Sequence, residues 1–318
     1  MFTILKKLQF NYSSLLSLLL LGLSLWAIVH ELGTYNLQDV LRALSAIPKS
    51  RLSGAIWLTA LGYLVMSCYD ILGFNYIGRS LSGNKIALTG FISSVLGNTI
   101  GFALLTGSAI RYRFYTNWGV PAIDIAQVIA FVNFTFWLGM SAVTGVIFLF
   151  NPLTLPLNLH LPFLTVRPIG IVLLLLVTAY LLASIFCQRP LVIRGKELRF
   201  PIFPIALAQI LIASLDWMIA AATLYILLPA NIHISYLDCL GFYSLAMFAG
   251  VLSNVPSGLG VFEIIILHFL AGHASAVAIL GSTLAYRVIY DLLSLLVAVS
   301  LLGLYELRYN VRKINRKN

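Results

Sequence analysis

Charge is what this chain has least of: 9% of its 318 residues are Asp, Glu, Lys or Arg, against 60% that are apolar. Soluble domains carry roughly 25% charged residues, and no polar block of domain size interrupts the apolar composition here, which excludes a water-soluble catalytic domain. Cysteine is scarce too. Cys68, Cys187 and Cys239 lie in or beside separate apolar segments without paired spacing, so they read as packing residues rather than a disulfide framework or zinc site. A glycine loop with a phosphate-binding lysine is absent, as is Gly-x-Ser-x-Gly, so neither ATP-driven transport by this chain alone nor serine hydrolase chemistry is expected. His30, His160, His233, His268 and His273 mostly fall at span ends, and no two have the spacing of a ligating helix pair; no metal or other cofactor is expected.

What is present is a succession of long apolar runs. Basic residues outnumber acidic ones 20 to 10, and in a membrane chain that excess is first an orientation signal, so no nucleic-acid partner is expected. Residues 12–30, 53–75, 122–150, 163–187, 205–229 and 275–304 each reach the roughly 20 residues that cross a bilayer. The first follows Lys6 and Lys7 but is too long for a signal peptide and lacks a small-residue cleavage site, so it is expected to remain as an anchor. Residues 31–50 carry the stripe Leu37, Val40, Leu41, Leu44 and Ile47, with Asn36 as N-cap and Pro48 as stop. That stripe fits an amphipathic interfacial helix, and equally a helix packed on the bundle.

Two further apolar regions, 86–117 and 236–271, are too long for one crossing and short of the roughly 40 residues that two crossings need. Thr106-Gly107-Ser108 interrupts the first and Pro256-Ser257-Gly258-Leu259-Gly260 the second, and such breaks survive in a membrane only when buried in protein or facing water. Reading both as re-entrant hairpins with a cytoplasmic N-terminus puts Lys6, Lys7, Arg79, Lys85, Arg189, Arg194, Lys196, Arg199 and a basic tail at 305–318 inside. Only Arg42, Lys49, Arg51 and Arg167 then fall outside. The expected fold is an all-α integral membrane protein in one domain, 1–318, with six full transmembrane helices and two re-entrant broken-helix hairpins entering from opposite faces. Both termini are then cytoplasmic.

Ionisable groups inside the apolar runs are the candidate site, because each costs about 2.5–3.5 kcal/mol at the bilayer centre unless it finds a partner or water. Arg111 and Arg113 follow the first break; a guanidinium beside free backbone amides suits a phosphate, and the bland alternative is a topology anchor with its head in water. For Arg113 the anchor reading is preferred; for Arg111 both stand. Glu263, three residues past Gly260, reads as functional rather than as a simple helix-start cap. Arg287 and Asp291 stand at i and i+4 and read as a structural pair, although Arg287 is also within reach of Glu263. Asp70 reads as an interfacial cap. Asp216 lies deeper and fits a protonated core group, an arginine partner or a proton site, among which the sequence does not choose. Asp124 and Asp238 sit at helix starts, where the macrodipole accounts for them.

The two interrupted motifs, Thr106-Gly107-Ser108 leading to Arg111 and Tyr115, and Pro256-Ser257-Gly258-Leu259-Gly260 leading to Glu263, together with Tyr286-Arg287, resemble the flippase-like family. That family is the transmembrane region of lysylphosphatidylglycerol synthase, the multiple peptide resistance factor, and the likeness is to its short stand-alone YbhN-type members. The sequence departs from the pattern at Ser108 and Ser257, where a second glycine is usual. The resemblance implies a bacterial inner-membrane lipid transporter, not an enzyme, in which Thr106, Gly107, Ser108, Arg111, Tyr115, Pro256, Ser257, Gly258, Gly260, Glu263 and Arg287 line a headgroup path. Asp216 and Asp291 would be proton or charge partners. The expected partner is a membrane phospholipid or a polyprenyl-linked lipid. The alternatives are a membrane-embedded lipid-modifying transferase and a scaffold for a lipid-synthesis enzyme.

Overall fold

The computed structural model describes residues 38, 42, 45, 47–100, 103–153, 165–187, 191–193, 196–198, 200–230, 232–253 and 258–315. The expected first span (12–30), most of the expected interfacial helix (31–50), and both Pro256 and Ser257 lie outside the described residues. In chain order the elements are α1 (Lys49–Tyr76), α2 (Gly83–Ile100), α3 (Ala103–Asn117), α4 (Ala122–Phe150), α5 (Arg167–Phe186), β1 (Leu191–Ile193), β2 (Lys196–Leu198) and α6 (Phe203–Leu227). After these come α7 (Tyr236–Leu252), α8 (Val261–Leu270), α9 (Ala276–Tyr286), a π-helical segment (Arg287–Leu293) and α10 (Ser294–Asn315).

Among the described residues, five helical stretches are long and apolar enough to cross a membrane: α1, α4, α5, α6 and the rod Ala276–Leu307 that contains α9, the π segment and most of α10. They coincide with the five predicted spans from 53–75 onward. This is an integral membrane protein of helical class. Proline marks the helix starts, at Pro48 and Pro121 just before α1 and α4 and in the first turn of α5 and α6, where its missing N–H breaks no intrahelical bond. Among the described residues, a small antiparallel ribbon that pairs Leu191 with Leu198 inside the predicted 188–204 loop and an isolated bridge between Ala271 and Ala274 depart from an all-helical reading.

Side-chain pairings fix the helix directions. Gly54 meets Ile226 and Gly62 meets Ile219, so α1 and α6 are antiparallel; Gly145 lies against Gly170, which makes α4 and α5 antiparallel. A Cβ on Gly139 would stand 2.3 Å from the Cβ of Ala213. Close approach of small residues is the packing device available where the solvent is as apolar as the side chains. The outward faces remain apolar, with Trp57, Phe150 and Phe186 each more than three-quarters exposed; Phe150 and Phe186 end α4 and α5, in the manner of aromatic residues at a bilayer interface.

The two harder regions each form a pair of short helices. In the first, α2 and α3 fold back on each other, with Gly107 of α3 against the Ser93 carbonyl of α2. Here α2 ends at Ile100 and α3 starts at Ala103. Thr106, Gly107 and Ser108 are helical, which corrects the expectation that they form the interruption. Gly107 is there for contact: a Cβ would come within 2.9 Å of the Ser93 oxygen. In the second, α7 and α8 pack antiparallel, with Phe242 stacked on Phe269, and the break sits where the glycines predict. Gly258 and Gly260 both adopt left-handed backbone (φ 63° and 80°), and Gly258 touches Gly250 across the bend. Because α1 delivers the chain to one end of the bundle and α6 to the other, the two helix pairs open toward opposite ends.

Candidate functional site

The first ionic cluster joins α3 to α1. Arg111 donates from Nε to Asp70 Oδ1 at 2.9 Å and from Nη2 to Asp70 Oδ2 at 2.8 Å, and its Nη2 also lies 3.3 Å from Ser94 Oγ. The Tyr115 hydroxyl donates to Asp70 Oδ1 at 2.7 Å. Arg111 and Tyr115 stand one turn apart on one face of α3, so both reach the same carboxylate. Asp70 is fully buried. Its role was not read from the sequence, where it passed for an interfacial cap; α1 runs six residues beyond it to Tyr76, so it lies inside the helix. The bidentate fork with a further donor is the strong form of a buried pair, and the absence of a side chain at Gly107 leaves room for the guanidinium, whose Nη1 would be 3.2 Å from a Cβ there.

The second cluster joins α8 to the last rod. Glu263 Oε2 accepts from the Gly260 N–H at 2.8 Å, capping α8. Its Oε1 accepts from Arg287 Nε at 2.9 Å, while Arg287 Nη1 donates to Asp291 Oδ2 at 3.1 Å. Glu263 therefore caps its helix and also pairs with Arg287. The guanidinium also lies over the Phe262 ring, 5.0 Å from its centroid. A π-helical turn begins at Arg287. It carries one extra residue per turn, a feature common at functional positions in membrane and soluble helices alike.

The clusters are separate. Arg111 pairs with Asp70 and Glu263 pairs with Arg287, and the ground between them is aromatic. Phe262 stacks on Tyr286, Tyr286 on Tyr290, Tyr290 lies against Tyr63, and Tyr63 meets Phe91 edge-on, with centroid spacings of 5.1 to 5.7 Å. This column runs from the second helix pair (α8) to the first (α2). The Tyr243 and Tyr286 hydroxyls share a hydrogen bond at 2.9 Å beside it. Sequence reasoning did not find the column, since aromatic residues in apolar spans carry no pairing signal.

Other predicted residues fall as follows. Arg113 is not an anchor with its head in water: it is buried and forms a bidentate pair with Glu306 of α10, at 2.9 and 2.7 Å. Asp124 pairs with Arg79, and Asp238 caps α7 in a reciprocal capping box with Ser235. Asp216 sits in the middle of α6, buried; its Oδ2 accepts from the Tyr69 hydroxyl at 2.8 Å, and no arginine pairs with it among the described residues. Thr106 is buried and Ser108 half-buried on α3.

No family model matches the chain. It is 44% identical over 296 residues to an uncharacterized protein of Synechocystis sp., covering 93% of this chain and 92% of the relative. It is 32% identical over 283 residues to the inner membrane protein YbhN of Escherichia coli, covering 88% and 87% of the two chains. A phosphatidylglycerol lysyltransferase of Staphylococcus xylosus is 23% identical over 309 residues, which take in 89% of this chain and 32% of that protein. This chain thus corresponds to about a third of the lysyltransferase. The chain belongs to the family of the inner membrane protein YbhN.

Proposed function

From membership of the YbhN family, we propose that this protein moves a phospholipid or a lipid-linked headgroup between the leaflets of an inner membrane. A phosphate cannot enter hydrocarbon uncompensated, so such a protein must offer buried donors near the middle of the bundle. The observation that carries the reading is the pairing of two buried arginines, Arg111 and Arg287, with carboxylates, one pair holding the first helix pair to α1 and the other holding the second to the last rod. The two helix pairs open toward opposite ends.

Re-entrance of both helix pairs belongs to this proposal. The 15 residues of α3 and the 10 of α8 span only about 22 and 15 Å at 1.5 Å per residue, short of the ~30 Å hydrocarbon core. A helix pair that goes in and comes back places its tip in the membrane interior, and two from opposite sides bring both tips to a shared depth. Arg111, Tyr115, Thr106 and Ser108 would then meet a headgroup from one side and Glu263, Arg287, Gly258 and Gly260 from the other. The N- and C-termini are assigned to the cytoplasm on the basic-residue asymmetry.

The similarity to phosphatidylglycerol lysyltransferases supports a lipid as cargo. A transporter is preferred to a transferase because the cluster carboxylates Asp70, Glu263 and Asp291 are all engaged by arginines, and the remaining buried carboxylate, Asp216, stands alone among the described residues, without a second carboxylate or a histidine paired to it. The test is reconstitution in liposomes with headgroup-labelled lipids, following loss of label to a membrane-impermeant quencher. Wild type should exchange label faster than empty vesicles, with Arg111→Ala and Glu263→Gln slowed toward background. Wild type no faster than empty vesicles across a broad lipid panel refutes the reading.

A further inference from the structure

Asp216 lies apart from both ionic clusters. It sits 13 residues from the start of α6 and 11 from its end, about 20 and 17 Å from either end at 1.5 Å per residue, which is mid-depth for a crossing helix. Its residue exposure is 3%. The only hydrogen bond its carboxyl group makes among the described residues is the one from Tyr69 to Oδ2, and Oδ1 is buried with no hydrogen-bond partner. Arg111 and Arg287, the buried cations of the two clusters, are occupied by Asp70 and by Glu263 with Asp291.

The groups that face Asp216 are phenolic. Tyr69 and Tyr63 come from α1, Tyr243 from α7 and Tyr290 from the π segment. From α4 comes no titratable group but Asp124 at its far end, paired with Arg79. From α5 come Arg167, at its start, and Tyr180, which donates to Gln209 two turns of α6 away. No lysine, arginine or histidine stands among these facing groups. A carboxylic acid kept only for structure would satisfy both oxygens, as buried polar groups generally do. Oδ1 instead lies by the backbone of Gly62: a Cβ built there would stand 3.9 Å from Oδ1, 4.0 Å from the Tyr290 hydroxyl and 3.3 Å from Ile219 Cγ2.

We propose that Asp216 is a proton-binding site, which carries its proton on Oδ1 while buried and gives it to water when water reaches it. The step is balanced: the O–H bond breaks, the electron pair stays on the carboxylate, and water becomes hydronium. Reloading is the reverse. Tyr69 keeps its hydrogen bond to Oδ2 throughout. Coupling this proton to lipid movement rests on the transport reading above; the proton site itself does not.

Two measurements on the full-length protein decide the matter. The first is the infrared carbonyl stretch of a protonated carboxylic acid, taken as wild type minus Asp216→Asn in lipid at neutral pH and followed to alkaline pH. A band that is present at neutral pH and titrates away is the expected result. Absence of the band at neutral pH, or a band unmoved over the whole range in which the protein stays folded, overturns the proposal. The second uses liposomes with a pH difference of about one unit. One proton per lipid corresponds to at most about a tenfold asymmetry of labelled lipid between leaflets. Wild type and Asp216→Glu should build asymmetry toward that limit, and Asp216→Asn none. Wild type that moves label without responding to the gradient overturns the coupling while leaving transport intact. Wild type that moves no label refutes the transport reading and with it the coupling, and the infrared titration then decides the proton site alone.

Discussion

Replacing Asp70 by Asn tests the central ionic joint with little change of shape. In the wild type one carboxylate, fully buried, takes two hydrogen bonds from Arg111 and one from the Tyr115 hydroxyl at 2.7 to 2.9 Å. An amide cannot match this: one of its two positions becomes a donor and points at a guanidinium N–H, leaving the arginine buried without a counter-charge. Breaking a buried pair from one side costs about 3–5 kcal/mol. Arg111→Gln should cost a similar amount, since Asp70 is then the stranded charge. The double variant strands neither. Its loss should therefore fall short of the sum by about 2–3 kcal/mol, at the upper end of measured couplings between contacting residues. The assay is reversible unfolding in bicelles, with tryptophan fluorescence as the signal and all four proteins compared in one lipid. An Asp70→Asn loss under about 1 kcal/mol, or additive losses in the double variant, would refute the pairing argument.

Four further outcomes follow from the same contacts. Arg113→Ala removes the bidentate link between α3 and α10 and strands Glu306, whose side chain is 17% exposed; partial hydration should hold the loss to about 2–3 kcal/mol, below a fully buried pair, measured by the same unfolding titration. Glu263→Gln weakens the cap on α8 by about 0.5–2 kcal/mol and leaves Arg287 with Asp291 alone, so amide exchange in Val261–Leu270 should quicken while exchange in α1 stays unchanged. Gly139→Leu places a branched side chain where even a Cβ meets Ala213 at 2.3 Å, and folded protein should drop sharply in fluorescence size-exclusion chromatography, whereas Gly303→Leu, with open space around it, should not. In a cysteine-free background, Ser108→Cys is expected to react with a membrane-impermeant thiol reagent from the cytoplasmic side and Ser257→Cys from the outside; protection of both from both sides would remove the proposed headgroup path.

The long helices were legible because hydrophobic length is a direct physical requirement of crossing a bilayer, and five predicted spans match the five apolar helices within a few residues. The second break was legible too. Gly258 and Gly260 need left-handed backbone, which glycine alone adopts freely. The first break was misplaced because glycine in a membrane helix has another use: Gly107 buys close contact with the Ser93 carbonyl, while the helix ends earlier, at Ile100. Asp70 and Arg113 were misread for one shared reason. Both were judged by distance from the end of an apolar run, but burial depends on which neighbour covers the residue, and the partners Arg111 and Glu306 are 41 and 193 positions away. Arg287 with Asp291 was readable since i, i+4 spacing is local, whereas the π-helical turn that carries the pair has no signature in composition.

The occupied arginines constrain how a headgroup could be handled. In the proposed cycle Arg111 is not an empty phosphate site, because Asp70 already takes both arms of its fork. A phosphate arriving there must exchange with a carboxylate, so the favourable new pair is offset by the freed Asp70, which then needs water or the Tyr115 hydroxyl alone. On the proposed function, tight binding would thereby be avoided at a point where the cargo has to leave again. The same logic holds at the other end, with a difference: Arg287 shares itself between Glu263 and Asp291, so losing one carboxylate to displacement leaves the other in place. Exchange should therefore be easier at Arg287 than at Arg111. Movement of α3 away from α1, which pulls Arg111 from Asp70, is the more costly event and the natural place for the barrier to lie.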